Sequence, residues 1–475
     1  MTDHLTADTT MEPQVNRRDF IKGTGVVAAS TAFAMLANKA AAASLPYSDS
    51  YGPLKVKPCK ATGLNMLALP EGFEYTSFGW TGSIQSDGQP TPGLHDGMGV
   101  AAAKGNVICL VRNHEQAGSG HTSAPRGGRG VYNNVQRGGT TNVLFDVLQG
   151  KFLSSYNSLG GTIRNCAGGT TPWGSWLSCE ETYQTAQGKL HGYVFEVPGF
   201  GISDGKPIRE MGRFSHEAAA VDPATGFVYQ TEDTGSSAFY KFEPTGAWGD
   251  LRSGGKLFAM VLNATSRVDL RGSQADGSSW EVSWQEIADP DAINQSCFNQ
   301  AYNAAIIARG EGCWYDDGKI YFVSTSGGAA RMGQVFCYDP RKELLTLVFE
   351  SKGRHQVDGP DNIAVSPRGN LLMCEDGGSN PKRLVGLTLE GETFIFAENR
   401  MAMDQGDLAA VDAVYPGTKA NFLTSIGKSV DGSARRSMSG NEWCGACFYG
   451  RWLFVNLQTP GVTFAITGPW EKGAL

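Results

Sequence analysis

Residues 217–234, EAAAVDPATGFVYQTEDT, carry the pattern that decides the fold: an acidic residue, a short apolar strand, a turn at Gly226, a second strand and an acidic end. Residues 361–377, DNIAVSPRGNLLMCEDG, repeat that order around Gly369. Two short apolar runs on either side of a glycine-containing turn are typical of a β-hairpin. A hairpin that recurs along one chain indicates a repeat architecture.

The hairpin pattern occurs six times. The copies start at residues 96, 166, 217, 311, 361 and 442, and each has a glycine at its turn. A further apolar strand follows each copy, at 142–147, 193–197, 238–242, 334–338, 384–389 and 462–466. Recurring units of four strands are the blades of a β-propeller, whereas a β-sandwich would not explain the same turn six times. The sequence predicts an all-β, six-bladed β-propeller, with loop insertions such as 118–130 and 249–280 on one face and helical character only around 290–308.

Counting back from each turn glycine brings an acidic residue or a thiol to the same place in every copy. These residues are Asp96, Cys166, Glu217, Glu311, Asp361 and Glu442. The innermost strands of a propeller line its central axis, so equivalent positions on them form a ring. Carboxylates that converge in a channel repel one another unless cations neutralise them. We therefore expect a metal site on the propeller axis.

The ends of the second strands add further candidate ligands. They are Asn113, Glu115, Glu180, Glu181, Glu232, Asp233, Glu375 and Asp376. Carboxylate and amide oxygens suit hard cations such as calcium or ferric iron, whereas the Cys166 thiolate favours a transition metal. The chain has only seven histidines, which disfavours a histidine-based zinc site. The donor set predicts a site with more than one kind of metal.

Arg309 is a candidate phosphate-binding residue. It stands two residues before Glu311, so on a strand both side chains point to the same side. A guanidinium beside a metal cluster suits bidentate binding of a phosphate. A salt bridge to a neighbouring carboxylate is the alternative. Arg164, two residues before Cys166, is a weaker candidate for the same role.

The N-terminal segment reads as an export signal. Residues 17–22, RRDFIK, precede a mildly apolar run at 23–37 and the small residues 40–43, an order typical of a twin-arginine signal peptide. The apolar run is shorter than the roughly 20 residues that a membrane span needs. We expect residues 1–43 to be the signal and residues 44–475 to be a single mature propeller domain without a membrane span. The twin-arginine translocation machinery would deliver it to the periplasm or beyond.

Charge and cysteine content exclude other classes of protein. The chain has 40 basic and 47 acidic side chains and a net charge of −7, which argues against a nucleic-acid partner. Ten cysteines in 475 residues are too few for a disulfide scaffold. Cys444 and Cys447 have the spacing of a redox or zinc pair, but no second pair completes a zinc site, so ordinary packing is the preferred interpretation.

Five motifs, in this order, resemble the PhoX-type alkaline phosphatases. They are VRNHE (111–115), GGTTN (138–142), NCAGGTTPWGSWLSCEET (165–182), RGEG (309–312) and DGPDN (358–362). The resemblance covers nearly the whole mature chain. It implies a six-bladed propeller exported by the twin-arginine route. It also implies a phosphomonoesterase that acts on small phosphate esters with a cluster of two ferric irons, Fe(III), and two to three calcium ions.

The resemblance also implies roles for single residues. Cys166 matches a cysteine that takes part in binding the iron pair, and Arg309 matches an arginine that contacts phosphate. Glu181, Glu217 and Glu311 match carboxylates of the cluster. The last copy departs from the family pattern at Cys444. The implied reaction is metal-assisted hydrolysis, in which Arg309 stabilises charge on the phosphoryl oxygens, and we expect a monomer.

Three other functions stay open at this point. A phytase-like propeller would carry many calcium ions and a basic substrate groove, which an acidic chain does not suggest. A calcium-dependent lactonase or phosphotriesterase also uses a six-bladed propeller with axial carboxylates, but it needs no thiolate. A non-catalytic binding propeller would leave the recurring carboxylates unexplained.

Overall fold

The computed structural model describes residues 51–118, 130–264, 267–420 and 434–475. The twin-arginine motif and residues 119–129 of the predicted 118–130 insertion lie outside these ranges. The described residues form antiparallel β-sheets with little helix, which confirms the all-β class. Among them, no helix has the length and apolar character that a membrane crossing requires.

Three short strands precede the first repeated unit. They are β1 (Lys55–Pro58), β2 (Asn65–Leu69) and β3 (Glu74–Phe78).

Six units of four antiparallel strands follow along the chain. The first unit is β4 (His95–Lys104), β5 (Val107–His114), β6 (Gly138–Asp146) and β7 (Lys151–Thr162). The second is β8 (Asn165–Thr170), β9 (Ser175–Glu180), β12 (Val194–Pro198) and β13 (Pro207–Ile208), with the small hairpin β10 (Thr185–Ala186) and β11 (Lys189–Leu190) between them. The third is β14 (His216–Val221), β15 (Val228–Glu232), β16 (Tyr240–Pro244) and β17 (Gly255–Leu262).

The fourth to sixth units complete the set. After β18 (Ser279–Glu286), the fourth unit is β19 (Gly310–Asp316), β20 (Lys319–Ser324), β21 (Gln334–Asp339) and β22 (Leu344–Glu350). The fifth is β23 (Pro360–Val365), β24 (Leu371–Glu375), β25 (Arg383–Leu387) and β26 (Thr393–Asn399). After β27 (Ala402–Met403) and β28 (Arg436–Ser437), the sixth is β29 (Trp443–Tyr449), β30 (Trp452–Leu457), β31 (Val462–Thr467) and, from the N-terminal segment, β3.

The first strands of the six units contact one another in a closed cycle. The contacts run from β4 to β8, β14, β19, β23 and β29 and back to β4. Their approach is close: a Cβ placed on Gly97 of β4 would lie 2.4 Å from the Cα of Ala167 in β8. The pairing of β3 with β31 joins the two ends of the described chain. This cycle places residues that are far apart in sequence around a common centre.

Other strands extend individual units. Strand β2 adds to the fifth unit by pairing with β26, and β1 pairs with β2. Strand β18 pairs with both β17 and β22, so the third and fourth units share one nine-stranded sheet.

Two sequence expectations need correction. Residues 249–280 are not a loop insertion throughout, because β17 and the beginning of β18 lie there. The region 290–308 contains the short helix α1 (Cys297–Gln300), in agreement with the helical character expected there, but it is not the only helix. A longer helix, α2 (Gln405–Val414), was not expected; Asp404 caps it by accepting hydrogen bonds from the backbone of Gly406 and Asp407, a strong start signal.

Apolar side chains from neighbouring units interlock to form the core. The largest cluster joins the N-terminal strands to the fifth and sixth units, and includes the fully buried Trp80, Trp443 and Phe464. Several of the first and second strands, such as β14, β24 and β30, are buried along their whole length and are rich in apolar residues.

Candidate metal centre

A β-bulge near the start of each first strand shapes the centre. In the first five units the strand pairing skips two residues, and the first of the two is the acidic or thiol residue predicted from the repeats. The bulged pairs are Asp96–Gly97, Cys166–Ala167, Glu217–Ala218, Glu311–Gly312 and Asp361–Asn362. A bulge bends the strand locally and re-aims a side chain.

The sixth unit departs from this pattern. Its first pair is Trp443 with Leu457, and Cys444 follows as the residue after that pair, as Asp96 does in the first unit. The bulge comes one residue later, at Gly445. The first bulged residue of the sixth unit is thus Gly445, and the predicted equivalence of Glu442 with the other five residues is wrong, because Glu442 lies three positions before Gly445. Counting from the turn glycine missed this offset because the sixth hairpin has a different length.

The structure brings eight candidate ligands together in three groups. In each group, one ligand atom per residue lies within 4.8 Å of the others. The groups are Cys166, Glu181 and Glu217; Glu217, Glu311 and Asp361; and Asp96, Glu442 and Cys444. Glu217 belongs to the first two groups, so these form one continuous set of donors.

Cys166 sits between two carboxylates. Its Sγ atom lies 3.3 Å from Oε1 of Glu217 and 3.5 Å from Oδ2 of Asp96. Burial, together with the charges of these two carboxylates, raises the pKa of the Cys166 thiol well above its ordinary value. Without a cation, this thiol would stay protonated; a thiolate at this point needs a positive charge beside it.

The carboxylates of the centre are held in an environment that disfavours their charge. Burial raises the pKa of Glu181 to about 9, with the charge of Glu115 as the next cause. Burial also raises the pKa of Asp361 to about 7, and Asp376 adds to the effect. The pKa values of Glu217 and Glu311 are raised well above their usual range by burial and by neighbouring carboxylates.

One carboxylate oxygen of the centre lacks a partner. Oε2 of the fully buried Glu217 has no hydrogen-bond donor among the described residues. A buried acceptor left in this way is costly, and a bound cation would satisfy it and offset the repulsion among its neighbours. The donor set, several carboxylates and one thiol, therefore fits metal ions.

Arg309 lies at the edge of the centre and makes two ion pairs. Its Nε and Nη2 atoms donate to Oδ1 and Oδ2 of Asp233 at 2.8 and 2.9 Å, and Nη2 also donates to Oε1 of Glu311 at 2.7 Å. Arg309 is thus attached directly to a residue of the second group.

Arg164 makes a similar pair of contacts at the first group. Its Nε donates to Oε1 of Glu115 at 2.7 Å, and its Nη2 pairs with Glu181. Gln458, the residue after β30, joins this network, because its Nε2 donates to Oε2 of Glu115 at 3.0 Å and to Oδ2 of Asp96 at 3.3 Å. Glu115 is thus one contact away from the centre.

Four predicted strand-end ligands have other partners. The Asn113 amide donates to the carbonyls of Cys166 and Ala167 and accepts from Trp176 and Ser178. Glu375 accepts from the backbone of Asp358 and pairs with Arg383. Glu232 accepts from the Tyr240 hydroxyl, and Glu180 binds His191 and the backbone of Ile163, Gly192 and Tyr193. These hydrogen bonds hold the strand ends together.

The two remaining strand-end candidates lie next to the centre. Asp233 is the bidentate partner of Arg309. Asp376 is partly exposed, near Lys382 at 3.4 Å, and its charge raises the pKa of Asp361. Neither belongs to the three groups.

Sequence reasoning missed Cys444 and Gln458. Cys444 was attributed to packing because no second cysteine pair accompanied it. Gln458 carried a usable signal: it follows the second strand of its unit, as Glu115, Glu181, Asp233 and Asp376 do in theirs.

Comparison with known proteins supports one family. The model of the family "Alkaline phosphatase PhoX" matches residues 50–154 and 145–461, and the model of the twin-arginine translocation signal matches residues 14–34. No curated protein matches the chain.

Among solved structures, PhoX of Pseudomonas fluorescens in complex with vanadate, a transition state analogue, is similar with a TM-score of 0.59 and 15% identity, over 89% of this chain and 99% of that chain. A virginiamycin B lyase from Staphylococcus aureus gives a TM-score of 0.39 and 12% identity, over 83% of this chain and 99% of that chain. The likeness to the Pseudomonas protein shows a shared fold.

These matches settle two expectations from the sequence. The twin-arginine signal at the N-terminus directs export from the cytoplasm by that pathway. The family match spans most of the chain and includes every residue of the three groups. The chain belongs to the PhoX family of alkaline phosphatases.

Proposed function

We propose that this protein is a metal-dependent phosphoric monoester hydrolase that releases inorganic phosphate from small organic phosphate esters outside the cytoplasm. The observation that carries the proposal is the convergence of the Cys166 thiol and buried carboxylates on Glu217, whose Oε2 has no hydrogen-bond partner among the described residues. Membership of the PhoX alkaline phosphatase family supplies the reaction class.

The proposed architecture is a six-bladed β-propeller with the metal centre on its axis. Six four-stranded units and the closed cycle of their first strands support it. The mature domain would comprise residues 44–475 after removal of the signal at 1–43, and would act as a monomer.

The donor atoms favour more than one metal. The group of Cys166, Glu181 and Glu217 combines a thiol with carboxylates and suits a transition metal such as ferric iron. The group of Glu217, Glu311 and Asp361 offers oxygen only and suits a hard cation, ferric iron or calcium. Asp96 and Glu442 provide carboxylates for a further calcium ion. When bound, these metals supply Lewis-acid polarisation of the phosphoryl oxygens and lower the pKa of water.

The chain's own residues position the ester. Arg309 is fixed by Asp233 and Glu311, so its guanidinium is oriented before substrate binds. Because Asp233 and Glu311 engage Nε and Nη2, Nη1 is left to donate to a phosphoryl oxygen and to stabilise the negative charge that develops there during hydrolysis. Asp233 acts as a positioning residue, since it holds Arg309 through both carboxylate oxygens.

The test of substrate class is a comparison of hydrolysis rates. The purified protein should hydrolyse 4-nitrophenyl phosphate and should leave an aryl phosphotriester and a lactone essentially unchanged. Faster hydrolysis of the triester or the lactone would contradict the proposal and would assign the centre to a different ester. Hydrolysis of none of the three would indicate a binding protein.

A further inference from the structure

Arg164 and Arg309 occupy equivalent positions in the second and fourth units. Each stands two residues before a bulged residue of the centre, Cys166 or Glu311. The backbone N–H of each donates to the preceding unit, to the carbonyl of Gln116 or of Thr234, at 2.9 and 2.8 Å. The carbonyl of each accepts from the residue after the second strand of its own unit, at 2.8 and 3.0 Å.

Both arginines adopt the left-handed backbone conformation, with φ of 51°. The same place holds Gly359 with φ of 62° in the fifth unit and Leu94 with φ of 49° in the first unit. A glycine adopts this conformation without strain, whereas a residue with a Cβ does so at a cost. Because this place also holds a glycine and a leucine, the backbone does not require arginine, and the case for a role of Arg164 and Arg309 rests on the contacts of their side chains.

The two guanidinium groups use the same atoms in the same way. In each, Nε and Nη2 bind carboxylates, one from the preceding unit (Glu115 or Asp233) and one from the arginine's own unit (Glu181 or Glu311). Nη1 of each has no acceptor among the residues that the structure describes. Each arginine side chain is 42% exposed, although its carboxylate partners are largely buried.

The two arginines are attached to opposite sides of one donor set. Arg164 pairs with Glu181 and Arg309 pairs with Glu311, and the groups to which these glutamates belong share Glu217. The two guanidinium groups are thus attached to donor groups that share one carboxylate, and both are partly exposed to solvent.

We infer that Arg164 is a second phosphate-binding residue, which acts together with Arg309 on the terminal phosphoryl group of a phosphate monoester. Each Nη1 donates to a non-bridging oxygen. The inference rests on the proposed function. Its physical reason is charge: a dianionic phosphoryl group approaching many carboxylates gains from a fixed cation on each side, and arginine offers planar donors already oriented by ion pairs.

The test is the affinity of the metal-loaded protein for inorganic phosphate, measured by titration calorimetry, with iron and calcium content measured on the same samples. We compare the wild type with Arg164→Gln, Arg164→Lys and Arg309→Gln. Arg271→Gln is the matched control, because Arg271 is 40% exposed and its side chain binds Asp269 and Ser236, neither of which belongs to the three groups.

Arg164→Gln should raise the dissociation constant for phosphate roughly tenfold or more, with metal content and the unfolding temperature close to those of Arg271→Gln. Arg309→Gln should have a similar effect. An unchanged dissociation constant in Arg164→Gln, beside a raised one in Arg309→Gln, would overturn the inference.

Two further outcomes remain decisive. If Arg164→Gln loses metal or does not fold, the Arg164→Lys variant decides, because lysine keeps the charge but not the planar pair of donors. Weaker phosphate binding by Arg164→Lys with full metal content supports the inference. Phosphate binding equal to that of the wild type contradicts it. If the wild type neither binds phosphate nor hydrolyses a monoester, the proposed function itself fails, which is a different result from a defect confined to the Arg164 variants.

Discussion

The Sγ atom of Cys166 and Oε1 of Glu217 lie 3.3 Å apart, although the two residues belong to different units. Each is the first residue of the β-bulge in the first strand of its own unit. In this arrangement the thiol donates to the carboxylate, and a metal ion that bound both would replace the shared proton. A proton and a metal ion therefore compete for the Cys166 thiol and the Glu217 carboxylate.

Replacing the Cys166 thiol tests whether it selects a transition metal. We expect Cys166→Ser to lose iron and most phosphatase activity, because a hydroxyl is a poor substitute for a thiolate ligand, and to keep the wild-type circular dichroism spectrum. Elemental mass spectrometry measures the iron. Cys109→Ser, at a buried cysteine of the first unit, should keep its iron. Full iron content in Cys166→Ser would refute the role of the thiol.

The stability of the metal-free protein should depend on pH in a defined direction. Glu181, with a pKa of about 9, and Asp361, with a pKa of about 7, bind protons more tightly in the folded state than in the unfolded state. The free energy of unfolding should therefore fall as pH rises from about 4 toward 9, by roughly 3 kcal/mol or more in all. Urea unfolding of chelator-treated protein measures this change. Protein loaded with metal should lack the fall, and equal pH profiles for the two forms would contradict the account.

Neutralising Glu217 should have opposite effects on stability and on metal binding. Burial and neighbouring carboxylates raise the pKa of Glu217 in the folded state, so its ionisation at neutral pH favours the unfolded state. The glutamine of Glu217→Gln cannot ionise, so we expect the metal-free variant to unfold at a higher temperature than the metal-free wild type at neutral pH. The same variant should bind less metal, because an amide is a weaker ligand than a carboxylate. A less stable metal-free variant would show that the Glu217 charge is already balanced without metal.

Neutralising Glu375 should lower the stability of the protein and leave its metal content unchanged, the reverse of the effects expected at Glu217. The repeat pattern had predicted Glu375 as a ligand. It is fully buried and pairs with Arg383, so Glu375→Gln leaves a guanidinium without its partner. We expect a loss of about 3 kcal/mol in the free energy of unfolding, with iron and calcium content unchanged in folded protein. Loss of metal at wild-type stability would restore Glu375 to the ligand set.

The repeats made the hairpins and most of the centre predictable, because each copy encodes its position locally. Asp96, Cys166, Glu217, Glu311 and Asp361 all lie at first-strand bulges, as equivalent positions should. The offset in the sixth unit was not predictable from turn spacing, since that spacing varies between copies and only the strand pairing shows where Cys444 lies.

Contacts between distant parts of the chain were beyond the reach of sequence pattern. The pairing of β3 with β31 joins residues almost 400 positions apart, and no local sequence pattern predicts this pairing. The sequence also does not show whether an arginine pairs with an acidic residue at a strand end. Glu375 and Asp376 were both predicted as ligands, but in the structure Glu375 pairs with Arg383 and Asp376 lies near Lys382.

The central claim is that the centre holds iron and calcium for phosphomonoester hydrolysis. The most direct measurement is elemental mass spectrometry of protein purified without added metal, together with 4-nitrophenyl phosphate hydrolysis in the presence and absence of calcium. The account predicts that the Cys166 thiolate binds iron, with about two iron atoms per chain as the family resemblance implies, and that phosphatase activity depends on calcium. Protein that contains calcium without iron and hydrolyses no phosphate monoester would contradict it.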